Sequence, residues 1–256
     1  MKALQDKVVV VTGGAGGIAK GIAEAVLEAG GRVAMMDLDA AKSRAAADAL
    51  NAGDRAIGVG ADVTDPDSLK AAFASVVEKF GRLDGLVNNA GIVRLGPADE
   101  TTPAGIDLEM AVNVKGVLLA AQAAAAHFAK GSGAIVNIAS NAGKVGYRNM
   151  AGYNASKAAV ISLTRSLSLE WAERGINVNA VCPGGVATDM LKSVADFLAP
   201  RIGQDRDALF GTMVPAQLGR HIQPVEVGRV VAFLLSDAAV IIRGQSISID
   251  GGDTPF

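Results

Sequence analysis

Two side chains four residues apart, the phenol of Tyr153 and the ammonium of Lys157, have the chemistry needed for proton transfer. Residues spaced by four lie on one face of a helix, so the two groups can share a site. A free phenol has a pKa of about 10, but a cation a few ångströms away lowers the pKa of the phenol by roughly 1–3 units. The spacing therefore predicts Tyr153 as a proton carrier, although the same spacing also occurs by chance on ordinary helix surfaces.

A glycine-rich turn near the N-terminus is suited to binding a diphosphate. Residues 12–19 read Thr-Gly-Gly-Ala-Gly-Gly-Ile-Ala, between an apolar run and the first helical pattern. Few side chains there separate an anion from the backbone N–H groups of the helix start, where the helix dipole favours negative charge. A plain tight turn is the alternative, but the position between a first strand and a first helix favours a dinucleotide site.

A carboxylate twenty residues after Gly17 indicates which dinucleotide is bound. Asp37 ends the second predicted strand, where an acid can accept hydrogen bonds from both hydroxyls of an adenosine ribose. A 2′-phosphate would meet its negative charge, and neither the glycine turn nor Leu38 offers a Lys or Arg to compensate. We therefore expect the cofactor to be NAD. Helix capping is the alternative role for an acid here, and we assign it to Asp39.

Strand-like and helix-like patterns alternate along the chain. Strands are predicted at residues 7–11, 32–36, 56–59, 83–87, 134–139, 177–181 and 246–249. Helices are predicted at residues 17–29, 41–50, 66–80, 104–129, 153–173 and 225–236. Strands with Val and Ile on both faces, separated by such helices, predict a parallel sheet covered on both sides. The expected fold is a three-layer, doubly wound, Rossmann-like α/β domain with seven parallel strands that takes in residues 1–256.

Polar clusters follow the predicted strands, at Asp37, Asp62, Ser140 and the segments 88–91 and 183–188. Ligands of such sheets bind beyond the carboxyl ends of the strands. One edge of the sheet is therefore expected to carry the chemistry.

The longest insertion between predicted elements is residues 189–222. Its helices are expected to be interrupted at Gly203, Gly211 and Pro215. We interpret this segment as a lid over the substrate.

Composition excludes several classes of function. The chain has 24 Lys plus Arg against 26 Asp plus Glu and only 4% aromatic residues, which argues against a nucleic-acid partner. No apolar stretch reaches the ~20 residues that a membrane-spanning helix needs, and residues 1–7 lack a signal-peptide core. We expect a cytoplasmic protein without a membrane partner or a metal site, in which Cys182 is a buried thiol without a catalytic role.

Together these motifs resemble the short-chain dehydrogenase/reductase family in its single-domain form, over nearly the whole chain. The resemblance rests on the glycine turn, Asp62 with Val63, the Asn-Asn-Ala-Gly run 88–91, Asn113, Ser140, Tyr153 with Lys157, Pro183 with Gly184, Thr188, and the Asp-Gly-Gly run 250–252. One departure is Ala19, where the family usually has glycine. The extra methyl group lies at a contact between helix and strand and bears on cofactor affinity.

The resemblance implies a catalytic tetrad of Asn113, Ser140, Tyr153 and Lys157. Tyr153 would exchange a proton with a ketone or alcohol oxygen while the nicotinamide exchanges a hydride. Ser140 would hydrogen-bond the same oxygen, and the backbone of Asn113 would hold a water. Lys157 would bind the nicotinamide ribose and lower the pKa of Tyr153. Lowering that pKa to near 7 takes about 4 kcal/mol, for which we expect Lys157 to need the positive charge of the oxidised nicotinamide.

Structural alternatives exist for two members of the tetrad. Asn113 can be a buried amide that bonds a neighbouring helix, and Ser140 can be a strand-end cap. The spacing of Ser140 from Tyr153 favours catalysis.

The resemblance also implies a cofactor site. Its residues are Gly13, Gly16, Gly17, Ile18, Asp37, Leu38, Asp62, Val63, Asn89, Ala90, Gly91, Tyr153, Lys157, Pro183, Gly184, Val186 and Thr188. Asp62 and Val63 would flank the adenine, and Thr188 would bond the nicotinamide carboxamide.

Substrate choice is expected to depend on residues around Ser140 and Tyr153 and in the lid. The candidates are Arg94, Asn141, Lys144, Tyr147, Arg148, Asn149, Met190, Phe197 and His221. The basic residues Arg94, Lys144 and Arg148 suggest a polar or anionic secondary alcohol, such as a polyol, sugar, diol or hydroxy acid. Solvated surface charge explains them equally well.

The leading interpretation is an NAD-dependent oxidoreductase that interconverts a secondary alcohol and a ketone. A second is a 3-oxoacyl-thioester (acyl carrier protein) reductase, which normally uses NADPH, so Asp37 argues against it. A third is a non-catalytic NAD-binding regulatory subunit, against which the complete tetrad argues.

Small residues crowd the predicted helix 104–129 and permit close helix contacts, or simply packing against the sheet. The resemblance implies that this helix and the Tyr153 helix form the contacts of a homotetramer with two-fold symmetry.

Overall fold

The structure is a computed structural model that describes residues 2–254. Its strands are β1 (Val8–Thr12), β2 (Arg32–Asp37), β3 (Ala56–Gly60), β4 (Gly85–Asn88), β5 (Ala134–Ile138), β6 (Asn177–Pro183) and β7 (Ser246–Ile249). They form one parallel sheet in the order β3-β2-β1-β4-β5-β6-β7. The winding direction reverses between β1 and β4, which is where a doubly wound sheet opens a crevice. The predicted Rossmann-like fold is confirmed.

Helices cover both faces of the sheet. They are α1 (Gly17–Glu28), α2 (Ala40–Asp48), α3 (Pro66–Phe80), α4 (Pro103–Met110), α5 (Gly116–Ala125), α6 (Ala151–Glu170), α7 (Asp189–Ile202), α8 (Arg206–Thr212) and α9 (Pro224–Leu234). None of these helices has the length and apolarity needed to cross a bilayer.

The valines of β1 show how the sheet is covered on both sides. Val9 and Val11 pack into a core with α1 and α9, whereas Val8 and Val10 pack into a core with α3 and α5. All four side chains are at most 1% exposed. Successive residues of a strand point to opposite faces, so an unbroken apolar run suits a sheet between two helical layers.

Helices α1 and α9 approach closely at two glycines. A Cβ on Gly21 would collide with the backbone of Pro224, and a Cβ on Gly228 would collide with the carbonyl oxygen of Gly21. This contact holds α1, which begins at the glycine turn, against the helix that follows the long insertion.

The predicted helix 104–129 is wrong as a single element. It divides into α4, a wider π-helical turn at Ala111–Lys115, and α5, which ends at Ala125. The π turn contains the buried Asn113, whose amide bonds the loop after β4 and α6. These tertiary hydrogen bonds override the helix propensity of the alanine-rich sequence, and π turns of this kind recur at functional sites.

The 189–222 insertion contains α7 and α8. Gly203 ends α7 with a left-handed backbone (φ 66°), as predicted. Gly211 was expected to interrupt a helix, but it lies inside α8. The Asp205 side chain caps the start of α8 through the N–H groups of residues 207 and 208, which offsets the low helix propensity of one glycine.

Backbone hydrogen bonds close the base of the insertion. Val186 and Ile222 form a parallel bridge. The N–H of Ala187 donates to the carbonyl of Ile222 at 2.9 Å, and the N–H of Ile222 donates to the carbonyl of Gly185 at 3.0 Å. Both ends of the segment are therefore attached beside the carboxyl end of β6, and its role as a lid stays a prediction.

Candidate active site

A cavity of about 580 Å³ opens at the carboxyl ends of β1, β4, β5 and β6. Predicted residues that line it are Gly13, Gly16, Gly17, Ile18, Asp37, Asn89, Ala90, Gly91, Pro183, Gly184, Val186 and Thr188, together with Ser140, Tyr153 and Lys157. The residues predicted to bind the cofactor and those predicted to carry the chemistry therefore share one cavity.

Three residues predicted to bind the cofactor lie outside the cavity lining. Leu38 is 75% exposed. Asp62 accepts hydrogen bonds from the N–H and hydroxyl of Thr64 at 2.8 and 2.7 Å, which makes it a turn former. Val63 packs against Gly116 of α5. Their contacts with a cofactor stay predictions.

The glycine turn has the shape that a diphosphate requires. Gly13 has φ +62°, and a Cβ there would lie 2.7 Å from the Cα of Ala90. The N-cap of α1 is Gly16, so no side chain caps the first N–H groups of the helix. These orphan donors and the positive end of the helix dipole open on the cavity and suit an anion.

The turn is tied to the loop after β4 by one hydroxyl. Thr12 Oγ1 accepts the N–H groups of Asn89 and Ala90, both at 3.1 Å. The side-chain amide of Asn89 donates back to the carbonyls of Thr12 and Gly13 at 3.0 and 3.1 Å. These bonds fix the width of the crevice between β1 and β4.

Asp37 lines the cavity at the end of β2, as predicted. Its carboxylate accepts the N–H of Ala15 at 3.0 Å and that of Asp39 at 3.3 Å. Asp39 caps α2 through two N–H groups, which confirms its predicted structural role. The acid available to a ribose is therefore Asp37, which also holds the glycine turn.

Tyr153 and Lys157 lie one turn apart on α6 and both face the cavity. The Nζ of Lys157 is 5.6 Å from the centroid of the Tyr153 ring and donates to the carbonyl of Ile138 at 2.8 Å. Ser140 follows β5, and its hydroxyl accepts the N–H of Ala142 at 3.1 Å, so it is a cap as well as a cavity residue.

Burial dominates the proton affinities of this pair. It raises the pKa of Tyr153 to about 12; hydrogen bonding with Ser140 works in the opposite direction, and the charge of Glu109 adds to the rise. Burial also lowers the pKa of Lys157 to about 8. In the protein alone, burial therefore sets the pKa of Tyr153 above its ordinary value. That Lys157 together with the oxidised nicotinamide lowers it stays a prediction.

Asn113 is fully buried and does not line the cavity. Its Oδ1 accepts the N–H of Ile92 at 2.8 Å, and its Nδ2 donates to the Ile92 carbonyl at 2.9 Å and to Ser156 Oγ at 3.0 Å. A Cβ on Gly91 would lie 3.4 Å from both Asn113 Oδ1 and Lys157 Nζ. Asn113 is thus a buried amide that bonds a neighbouring helix, which is its structural alternative, and it lies close to Lys157. The role of its backbone in holding a water stays a prediction.

Beyond Ser140 the cavity is mostly apolar. Asn141, Tyr147 and Met190 line it as predicted, and the Asn141 amide donates to the Tyr147 hydroxyl at 2.8 Å. The sequence interpretation missed Val93, Met150, Met213, Val214 and Asp253, which also line it.

The other substrate candidates lie outside this lining: Arg94, Lys144, Arg148, Asn149, Phe197 and His221. Lys144 donates to Ser248 Oγ at 2.9 Å, and His221 stacks on Phe210 with ring centroids 4.3 Å apart. The predicted basic residues therefore do not reach the cavity.

The charge at the substrate end is negative. Within residues 2–254 the charged residues of the lining are Asp37, Lys157, Asp189 and Asp253. Asp253 reaches the cavity because Gly251 and Gly252, with φ +64° and +88°, turn the chain back, and its carboxylate accepts the N–H of Ala216 at 3.1 Å.

Comparison with known proteins gives matches over nearly the whole chain. A family model described as enoyl-(acyl carrier protein) reductase matches residues 13–254. The chain is 39% identical over 255 residues to 2-(S)-hydroxypropyl-CoM dehydrogenase 3 of Xanthobacter autotrophicus, covering 98% of each protein. It is 40% identical over 254 residues to D-threitol dehydrogenase of Mycolicibacterium smegmatis, covering 98% of this chain and 94% of that protein. Levodione reductase has a similar structure, with a TM-score of 0.89 at 32% identity over 97% of this chain and 98% of that one.

Replacing Lys157 by Met tests the burial of its charge. The folded pKa of about 8 lies below the ordinary value of 10.5, so between these values the unfolded chain binds more protons than the folded one. The stability of the wild type should therefore rise relative to Lys157→Met as pH increases through this window, by up to about 3 kcal/mol. Urea unfolding at about pH 7 and about pH 10 measures the difference.

The control for this comparison is Lys70→Met, which removes an exposed lysine of α3. Its stability relative to the wild type should change little with pH. A Lys157→Met difference that is the same at both pH values would contradict a buried ammonium.

Proposed function

Since this chain belongs to the short-chain dehydrogenase/reductase family, we propose that it interconverts a small, neutral, polar secondary alcohol and its ketone with NAD. Two relatives at 39% and 40% identity are named as dehydrogenases of an alcohol, and the chain is an oxidoreductase of the same type. One observation carries the proposal: Ser140, Tyr153 and Lys157 line the same cavity as the uncapped N-terminus of α1.

The protein groups suit proton transfer to and from one substrate oxygen. In ketone reduction the neutral phenol of Tyr153 donates its proton to the carbonyl oxygen, while the Ser140 hydroxyl donates a hydrogen bond to the same atom. In alcohol oxidation Tyr153 accepts the hydroxyl proton. When bound, NAD supplies the hydride acceptor or donor and, in its oxidised form, a positive charge.

Lys157 and the glycine turn would hold the cofactor at its two ends. The turn and the first N–H groups of α1 fit the diphosphate, and Lys157 fits a ribose beside the catalytic groups. Asp37 favours NAD because its carboxylate would repel a 2′-phosphate. Lys157 is the one cation among the described residues of the lining, and it lies at the catalytic end.

The proposed substrate class is supported by the charged and polar groups at the cavity end near Ser140. Asp253 contributes a carboxylate there, and Asn141 and Tyr147 contribute an amide and a hydroxyl. These groups can hydrogen-bond further hydroxyls of a diol or polyol, whereas an anionic hydroxy acid would meet a negative charge. D-threitol, which one relative's name gives as its substrate, belongs to this class.

A second candidate is reduction of a 3-oxoacyl thioester. The description of the matching family model names an acyl carrier protein reductase, although one that acts on the enoyl group. Asp37 argues against it because such reductases normally use NADPH. A panel of secondary alcohols and acyl thioesters, each tested with NAD and NADP, separates these activities. Tight NAD binding with no turnover would indicate the regulatory alternative.

We extend the proposal to assembly as a homotetramer. Apolar side chains are exposed on α4 and α6, with Ile106 40%, Leu108 44% and Leu169 80% accessible. Burying them between copies related by two-fold axes would remove this apolar surface from water.

Tyr153→Phe tests the proton carrier. The variant keeps the ring but has no exchangeable proton, so turnover should fall by at least about 10²-fold while NAD affinity changes only a few-fold. Steady-state kinetics and calorimetric NAD binding measure the two quantities. Tyr147→Phe removes the other phenol of the cavity and should change the KM of the substrate more than turnover. Retained activity in Tyr153→Phe would exclude it as the acid or base.

Asp37→Ala tests the choice of cofactor. Without the carboxylate, the preference for NAD over NADP in kcat/KM should shrink at least about tenfold, a difference of about 1.4 kcal/mol. Asp39→Ala is the matched control, because it removes the neighbouring acid and a helix cap and should lower stability without changing the ratio. A ratio that is unaltered in Asp37→Ala would show that the ribose is recognised elsewhere.

Asp253→Asn tests the substrate class. Removing this charge should raise kcat/KM for a small hydroxy acid relative to a neutral diol by about 3–10-fold, and added salt should reduce the effect. Asp207→Asn removes an exposed acid of α8 outside the cavity and should leave the ratio unchanged. If Asp253→Asn leaves this ratio of kcat/KM values unchanged, the Asp253 carboxylate does not select the substrate.

A further inference from the structure

One buried acid has no part in the mechanism above. Glu109 lies in the last turn of α4, is 1% exposed, and stands one helical turn before Asn113. Its Oε1 accepts the N–H of Arg94 at 2.8 Å, which joins α4 to the loop that follows β4. Buried carboxylates are costly, so the groups around this one identify its role.

The second oxygen of Glu109 lies against α6. A Cβ on Gly152 would collide with Oε2, so a larger residue at this position would displace the carboxylate. Gly152 is in the first turn of α6, directly before Tyr153. The N-cap residue of α6 is Met150, and no side chain of the helix caps its first N–H groups. A carboxylate from another element at this end is favoured by the helix dipole.

The charges that face Glu109 come from two elements. Burial raises the pKa of Glu109, while the backbone bond and the charge of Arg94 lower it. On the side of α6, the charge of Glu109 raises the pKa of Tyr153, and Lys157 lies beyond the Tyr153 ring. Glu109 thus bonds the loop after β4, contacts the first turn of α6 and places a charge near Tyr153.

We propose that Glu109 is a positioning residue whose carboxylate fixes the first turn of α6, and with it Tyr153, to the loop after β4. This inference rests on the proposed function for its effect on catalysis. The link itself rests on the hydrogen bond to Arg94 and the glycine that makes room for the carboxylate.

Glu109→Gln tests the link, because the amide keeps an oxygen for the Arg94 N–H but has no charge to offer the helix terminus. Amide hydrogen exchange at residues 151–154 should become at least about threefold faster, since the first turn loses its anionic partner. The acid limb of the pH profile for alcohol oxidation should move down by about 0.5–1 unit, because the negative charge that raises the pKa of Tyr153 is gone. NAD affinity should change only a few-fold.

Asp107→Asn is the control, because it removes an equal charge from the exposed face of α4 and should change neither exchange nor the pH profile. Unchanged exchange in Glu109→Gln would refute the link, and an unchanged acid limb would refute the effect on Tyr153. If Glu109→Gln does not fold, Gly152→Ala displaces the carboxylate without removing it. Alanine alone slows exchange in a helix, so faster exchange at 151–154 supports the link, and slower exchange refutes it.

The exchange measurement does not depend on turnover. If the wild type oxidises no alcohol, the proposed function fails. Amide hydrogen exchange in Glu109→Gln and Gly152→Ala still decides whether the carboxylate fixes the first turn of α6.

Discussion

The burial of a lysine ammonium beside a phenol is the constraint on which the site depends. Lys157 is 4% exposed, and its hydrogen-bond partner among the described residues is the carbonyl of Ile138. An ammonium in such a place is costly, and burial accordingly lowers the pKa of Lys157 to about 8. Gly91 leaves room for it, and the buried Asn113 supports the loop beside it. Tyr153, the proposed proton carrier, therefore stands beside a cation whose charge is itself disfavoured by burial.

Much of the fold follows from local patterns. An unbroken valine run is compatible with β1 only between two helical layers, and the glycine turn after it identifies the first crossover. The π turn at Ala111–Lys115 could not be predicted in the same way. Its alanines favour a regular helix, and the deviation depends on bonds from Asn113 to residues far away in the sequence.

The site was predictable where its residues lie at or shortly after the ends of strands, as Asp37 and Ser140 do. Asp253 was not predictable in this way. Two glycines with positive φ, Gly251 and Gly252, turn the chain back towards the cavity and set the position of Asp253. The basic residues Arg94, Lys144 and Arg148 misled the substrate prediction, because a sequence gives the charge of a side chain but not the direction in which it points. The side chain of Lys144, for example, bonds Ser248 of β7. The sequence contains one indication of a role for Glu109: it precedes Asn113 by four residues, so a helix would place both side chains on one face. The pKa of Tyr153 depends on desolvation, which spacing alone does not reveal.

The bridge between Val186 and Ile222 has a consequence for how this protein can diversify. It attaches both ends of the 189–222 insertion at one point, next to Thr188. Met190, Met213 and Val214 of this segment line the cavity, so a change of sequence between the two attached ends alters one wall of the cavity. Insertions and deletions between the two attached ends can therefore reshape that wall, while the ends of β1 and β5 keep their places in the sheet.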